Sequence, residues 1–486
     1  MAEAVGMEAG RRRWAVLAVV SAAQFLTILD LWVVNIAFPT LQRIFAPATL
    51  ADISWILDIY AIVLAALLIP AGRVADRAGR SRCFLAGLVV FGGASLGCAL
   101  APGLPALIAF RAVQAVGAAV LMPTTLGLAL SVFPARQRGT AMGVWVAVGG
   151  LAAAGGPVLG GLLVEWDWRW IFLINLPVVV AALVAGMLVL PRGAAERDGR
   201  RAGWRLDGVG TALVLGATGL TCTALTEARG WPGVRTWLVL AAGLLLATAF
   251  VAHIHRHPDP VVAPRLFSAR TFSAGAAGLV AYFIGFAAML LGTTLLLTEG
   301  WGFSALHAAI GIAPAPLTNS IFAPLSGRVL ARLGTRRTLV AGSALFAVAA
   351  VWLLLGAGGA PAYLQVVLPG LLLWGVANAF IQPALFGAAA AAPRAELASG
   401  SAVLTTARQL GSAVGVAVLV AVLGTHPATT AAGFSPAWVV VLVSAGVTAF
   451  AGLASGAPAR SPLPDEPPDR RGRPVRGKAG ISPARR

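Results

Sequence analysis

The sequence predicts an all-α polytopic membrane protein, and three observations carry that prediction. Hydrophobic residues make up 58% of the 486-residue chain, whose mean hydropathy is +0.85. Charged residues are only 11% of it, against about 25% in a soluble globular chain. Mostly apolar runs recur from end to end, each of about 18 residues or more, the length that crosses a bilayer as a helix.

Taken in order, fourteen such spans are expected, near 14–39, 53–71, 83–101, 105–132, 140–164, 168–190, 207–228, 236–255, 272–298, 305–330, 338–356, 361–387, 398–424 and 434–456. The opening RRRWAVLAVVSAAQFLTILDLWVVNIAFP begins with a basic cluster. Its apolar run is too long for a cleaved leader and lacks a small-x-small site, so it reads as an uncleaved first span. Basic loops test the count, because cytoplasmic loops of membrane proteins concentrate Lys and Arg. With fourteen spans and both termini inside, 30 of the 36 basic residues fall on the cytoplasmic side. Only Arg43, Arg169, Arg229 and Arg235 fall outside, and Arg111 and Arg408 lie within spans. The net charge of +18 is therefore a topology signal for the cytoplasmic membrane, not a nucleic-acid footprint.

The domain organisation follows. Residues 1–190 form a first six-helix bundle, 191–206 a cytoplasmic linker, and 207–255 two inserted spans. A second linker, 256–271, leads to a six-helix bundle at 272–456, and 457–486 is a Pro/Arg-rich tail expected to be disordered. The first and second bundles are related by a repeated phrase. AGRVADRAGRSR, 71–82, returns 255 residues later as SGRVLARLGTRR, 326–337, with Ala331 in place of Asp76. Parallel six-helix repeats around a central cavity are a transporter architecture.

Several function classes are excluded or disfavoured. Cys83, Cys98 and Cys222 lie in or beside apolar segments with no ligand spacing. GRPVRGKA, 472–479, lacks the Ser/Thr of a phosphate loop and follows no strand, so ATP is not the expected power source. HIHRH, 253–257, straddles a span end without paired ligands elsewhere, so no metal is expected. No nucleophile–base–acid set is visible. The expectation is a monomeric non-enzyme without cofactors, embedded in the lipid bilayer and handling a small-molecule substrate and protons.

Five motifs, in order and at the right spans, carry a resemblance. They are GRVADRAGRSR between spans 2 and 3, LDLWVVNIAFP in span 1, FRAVQAVGAA in span 4, AAAGGPVLGG in span 5, and WRWIFLINLP after it. With WILDIY in span 2, they resemble the fourteen-helix drug:proton antiporters of the major facilitator superfamily. Ala115 and Ala152 replace motif glycines. The resemblance implies a gating role for the loop residues Gly72, Arg73, Asp76, Arg77, Gly79 and Arg80, with Asp76 latching onto an arginine or a helix N-terminus of the other half. Turn capping is the alternative for Asp76. It also implies that Gly155, Gly156, Pro157, Gly160 and Gly161 form an antiporter motif. These small residues permit close helix contact, and Pro157 removes a helix hydrogen bond. Packing alone is the other reading.

Charges within spans are the remaining candidates, since an ionised residue at a helix centre costs several kcal/mol, about 2.5–3.5, to insert. Counting 1.5 Å per residue from the span ends puts Asp30 about 13 Å deep, and Asp58 and Arg111 about 9 Å deep. Burial favours a neutral acid and a neighbouring arginine favours the carboxylate, so an Asp beside an Arg and a cavity can take and release a proton. The resemblance implies proton coupling for Asp30, Asp58 and Arg111. Alternatively Asp58 is a vestibule acid bonded to Ser54 or water, and Arg111 a structural partner of Asp30. The second bundle has no clearly intramembrane acid, a departure from some multidrug relatives. Candidate cavity residues are Gln24, Thr27, Gln114, Asn319, Asn378, Gln382, Thr405, Arg408 and Gln409. Arg408 disfavours a dicationic substrate, or else is structural. The function expected is proton-coupled export of hydrophobic small molecules, drugs or an antibiotic. A carrier of another metabolite class, a lipid flippase or a non-transporting scaffold are the alternatives.

Overall fold

The computed structural model describes residues 2–134, 137–190, 207–228, 230–356, 361–388, 397–424 and 431–455. The linker 191–206, the tail 457–486, and the basic positions Arg136, Arg229 and Arg394 lie outside the described residues. No β-strand occurs among the described residues. Among the described residues thirteen helices are long and apolar enough to cross a membrane: α1 Arg11–Ile44, α2 Leu50–Ala78, α3 Arg80–Ala99, α4 Leu104–Ala129, α5 Thr140–Trp166, α6 Trp170–Val189, α7 Gly208–Thr226, α8 Gly233–Arg256, α9 Arg270–Gly300, α10 Ala305–Gly356, α11 Tyr363–Phe386, α12 Ser399–Leu423 and α13 Ser435–Ala454.

Local chemistry sets several ends. Thr49 and Asp52 form a reciprocal capping box at the start of α2, the Thr49 N–H donating to Asp52 Oδ2 at 2.8 Å. Ser304 caps α10 by accepting from the His307 N–H at 3.3 Å. α2 and α3 meet at Gly79, whose φ of +102° suits glycine and lets the chain turn between two helices in one residue. The 52-residue α10 is broken in the same way at Gly334, with φ +75° and ψ 164°. Gly334 stands where Gly79 stands in the repeated phrase, so the repeat extends from letters to backbone geometry.

α1–α6 pack on one another, as do α9–α13. Glycines bring the backbones together in both groups. A Cβ at Gly160 would lie 3.0 Å from Val33 Cα of α1, and a Cβ at Gly411 of α12 would lie 2.5 Å from the Val280 carbonyl oxygen of α9. The two groups meet along α2 and α12, where the Thr406 hydroxyl donates to the Ala65 carbonyl at 3.3 Å, and along α5 and the start of α10. At this second seam a Cβ on Gly161 would sit 2.7 Å from Leu306 Cα, and the Ser304 hydroxyl donates to Glu165 Oε1 at 2.9 Å.

The inserted pair α7 and α8 sits on the α2–α12 seam through α7, with α8 packed on α7 and largely exposed. Its anchor is Asp207. One carboxylate oxygen accepts from the Gly210 N–H (2.7 Å) and lies 2.8 Å from His253 Nε2, while the other accepts from the Val261 N–H at 2.9 Å. Burial pushes this carboxyl up, but the two backbone donors and His253 outweigh it and hold it below its ordinary value. The expectation that HIHRH lacks a partner elsewhere is corrected here: Asp207 lies with His253 and His257. Its oxygens are engaged in capping α7 and holding the linker. Nearby, Arg73 Nη2 donates to the Pro260 carbonyl at 2.9 Å, tying the α2–α3 loop to the same linker.

Candidate functional site

A cavity of about 270 Å³ lies between the two groups of helices, lined from α1, α2, α4 and α5 on one side and α9–α12 on the other. Its walls are aromatic. Trp32 meets Phe286 edge-on at 6.2 Å, and Phe286 meets Trp374 and Phe283 at 5.1 Å each. Amides provide polar points. Asn378 Oδ1 accepts from the Tyr282 hydroxyl at 2.6 Å and from Gln382 Nε2, while Asn35 and Asn319 also face the space.

Against one wall lies a buried ion pair. Arg111 Nη1 is 2.6 Å from Asp30 Oδ2, and neither side chain is exposed. The pair is held by a ring of neutral donors and acceptors. Gln114 Nε2 donates to Asp30 Oδ1 and to Ser95 Oγ, both at 2.9 Å, while its Oε1 accepts from Arg111 at 2.7 Å. Asn175 Nδ2 lies 3.4 Å from the same two acceptors. Arg111 Nε donates to the Ile56 carbonyl at 3.2 Å, and its guanidinium stands 4.2 Å from the Tyr60 ring centre. Low local dielectric strengthens such a network. Arg111 itself lines the cavity, with Nη2 left without a partner.

Two further charged groups face the cavity. Asp58 is wholly buried and both its carboxylate oxygens lack a protein partner, the Ser54 hydroxyl donating to the Ala51 carbonyl at 2.8 Å. From the opposite wall, Arg408 donates through Nε to Gln409 Oε1 at 3.2 Å and lies 5.6 Å from the Phe283 ring centre. No carboxylate reaches it within ion-pair distance among the described residues.

Of the residues expected to line a cavity, Asn319, Asn378, Gln382, Arg408 and Gln409 do so. Gln24, Thr27, Gln114 and Thr405 do not. Gln114 belongs to the ion-pair ring, Thr27 donates to the Gln24 carbonyl at 3.0 Å, and Thr405 donates to the Ser401 carbonyl at 2.9 Å. Helix-internal hydroxyls satisfy themselves this way, which spacing on a helical wheel does not reveal. Ser95, Asn175, Phe283 and Phe286 belong to the site without being legible in the sequence. The first two carry no charge to mark them, and phenylalanines inside a span look the same whether they face lipid, core or cavity.

The loop and the glycine motif lie apart from this centre. Asp76 pairs with Arg80 of its own loop at 2.8 Å, both groups partly exposed, and Arg80 Nη1 also donates to the Gly127 carbonyl at the end of α4 at 3.3 Å. In this conformation the pair stays within the first group of helices. A Cβ at Gly156 would meet Trp32 Cβ at 2.7 Å, whereas one at Gly155 would meet nothing within 4 Å.

Two helix groups around a shared aromatic cavity, with charges buried at its wall, define a multi-pass membrane transporter. The chain belongs to the Major Facilitator Superfamily, whose profile matches residues 20–416; the family is one of transporters, not enzymes. A probable actinorhodin transporter of Streptomyces coelicolor is 34% identical over 424 residues, covering 84% of this chain and 72% of that protein. The puromycin resistance protein pur8 of Streptomyces alboniger is 36% identical over 457 residues, 89% of this chain and 88% of its own. Among solved structures, an auto-inhibited peptide transporter of the POT family superposes with a TM-score of 0.64 at 17% identity, over 90% of this chain and 96% of that one. That last likeness concerns the fold alone.

Proposed function

We propose that this protein is a proton-coupled antiporter that exports hydrophobic small molecules, drugs or an antibiotic, across the cytoplasmic membrane by alternating access. The observation that carries the reading is the Asp30–Arg111 pair, buried at the wall of a cavity that is also lined by Asp58, whose carboxylate makes no hydrogen bond. A proton taken up by Asp30 removes the charge that holds Arg111, and the freed guanidinium is already at the cavity wall. A proton at Asp58 satisfies a carboxyl that otherwise has no donor; a cationic ligand group satisfies it equally, so proton and ligand exchange at one place. The relative named for puromycin resistance supports the outward direction of transport.

Splitting α10 at Gly334 gives fourteen crossings, since about 78 Å of continuous helix would far exceed a bilayer core of about 30 Å. An even count puts both termini on one side, which the placement of the arginines makes the cytoplasmic one, and the seam at Gly161 and Glu165 closes the outer side. In the opposite state Asp76 and its loop arginines re-pair across the halves. The test is accumulation of a fluorescent dye in cells expressing the protein, with and without an uncoupler. Lower accumulation that the uncoupler abolishes is expected; equal accumulation across a broad panel of compounds returns the chain to the flippase or scaffold reading.

A further inference from the structure

Asp58 and Arg408 are the two charges of the cavity that the protein itself leaves uncompensated. Arg111 also faces the space, but Asp30 neutralises it. Asp58 has two bare oxygens at 0% exposure, and Arg408 has a single amide contact and an aromatic neighbour. Buried charges in proteins are otherwise paired or fully hydrogen-bonded. Asp58 departs from that rule outright, and the half-buried Arg408 does so in part; two such groups of opposite sign lining one cavity describe a ligand.

Their spacing follows from the helix register. Thr406 of α12 is level with Ala65 of α2, and further along the same seam Ala61 and Ile62 pack with Ala413 and Ala417, so the two helices run antiparallel. Arg408 is then level with residue 63, and Asp58 lies five residues beyond, roughly 8 Å along the axis. That separation is too great for a direct bond and suits the two ends of a small rigid molecule. The same cavity is lined by Trp32, Phe283, Phe286 and Trp374, with Trp32 and Trp374 edge-on to Phe286 and Phe283 tilted against it, an aromatic wall suited to a ring system.

We propose that the cavity binds dipolar aromatic molecules, a cationic centre against Asp58 and an anionic group against Arg408. The assignment rests on the transport reading above and adds the charge pattern of the substrate. A guanidinium keeps its charge in proteins, so the cavity alternates between neutral, with Asp58 ionised, and singly positive, with Asp58 protonated. A zwitterion matches both fixed charges of the neutral state. A monocation satisfies Asp58 but faces Arg408, and an anion satisfies Arg408 but faces Asp58. The ammonium end and the proton compete for one carboxylate, which makes their movements opposed.

The test uses one aromatic core in three charge forms: norfloxacin as the zwitterion, its ethyl ester as the cation and its N-acetyl derivative as the anion. Binding to the purified full-length protein in nanodiscs is read by calorimetry at neutral pH, for wild type, Asp58→Asn and Arg408→Gln. Wild type should prefer the zwitterion by on the order of tenfold over either partner, the scale of one uncompensated charge at this distance in a partly polar interior. Arg408→Gln should erase the preference over the ester and keep that over the N-acetyl form. Asp58→Asn should do the converse, a crossed pattern that misfolding cannot produce. Equal binding of ester and parent by wild type, a uniform effect of both variants on all three, or no binding of any of them overturns the assignment. Uncoupler-sensitive dye export measured on the same protein separates the outcomes: if it persists, only the charge assignment falls; if it is absent, the transport reading falls too.

Discussion

Arg111 Nη1 stands 2.6 Å from Asp30 Oδ2, with both side chains sealed from solvent. Removing one partner of such a pair strands the other, at about 3–5 kcal/mol, whereas removing both does not. Asp30→Asn is expected to insert in the membrane and lose proton-driven export by at least tenfold. The double variant Asp30→Asn/Arg111→Gln should melt higher than either single variant and remain inactive. Melting and vesicle transport measured together check this; pH-dependent export retained by Asp30→Asn would remove that residue from coupling.

The glycine motif makes a prediction with its own control. A methyl group at 161 would be 2.7 Å from a backbone atom of Leu306, across the seam, so something must move; one at 155 has open space. Gly161→Ala should cut export several-fold and cost about 1–3 kcal/mol of stability. Gly155→Ala should behave as wild type in both. Equal effects of the two would mean that the close contact is not what the motif provides.

At the loop, Asp76 is 61% exposed and its partner Arg80 37% exposed, so their bond stabilises little, about 0–1 kcal/mol. Asp76→Asn is therefore expected to leave the melting temperature nearly unchanged while slowing turnover, with ligand affinity intact. Normal turnover in that variant would argue that the aspartate only caps its turn.

Asp207 yields a pH dependence. Its carboxyl is held below the ordinary value of about 4, so its contribution is complete above that pH and fades as pH falls through the lower folded value. The linker at Pro260–Val261 should resist proteolysis unchanged from pH 8 to pH 5 in wild type. Asp207→Ala, which loses the cap of α7, should cost about 0.5–2 kcal/mol and expose that linker to cleavage already at neutral pH. An uncut linker in the variant would contradict the anchoring role.

Apolar runs located the spans, because a bilayer demands long uncharged helices. Depth arithmetic set Asp30 and Arg111 near one level, and they are bonded. The ring that holds them was out of reach: Ser95 and Asn175 are cheap to bury once partnered, so they leave no pattern in the letters. Gln114 looks cavity-lining in the sequence, since one helix face serves a cavity and an ion pair equally well. The tie between Asp207 and His253, 46 positions apart, joins elements whose pairing only the tertiary packing decides.

Gly79 and Gly334 turn the backbone the same way, 255 positions apart, although the acid three residues before the first has become alanine before the second. The two copies thus share shape and differ in charge. Each places a left-handed glycine between two helices, while the first alone adds an acid–arginine pair beside it. The chain is therefore symmetric in curvature and asymmetric in chemistry at these two turns, so that a substitution at either glycine tests bending alone, and one at Asp76 tests charge alone.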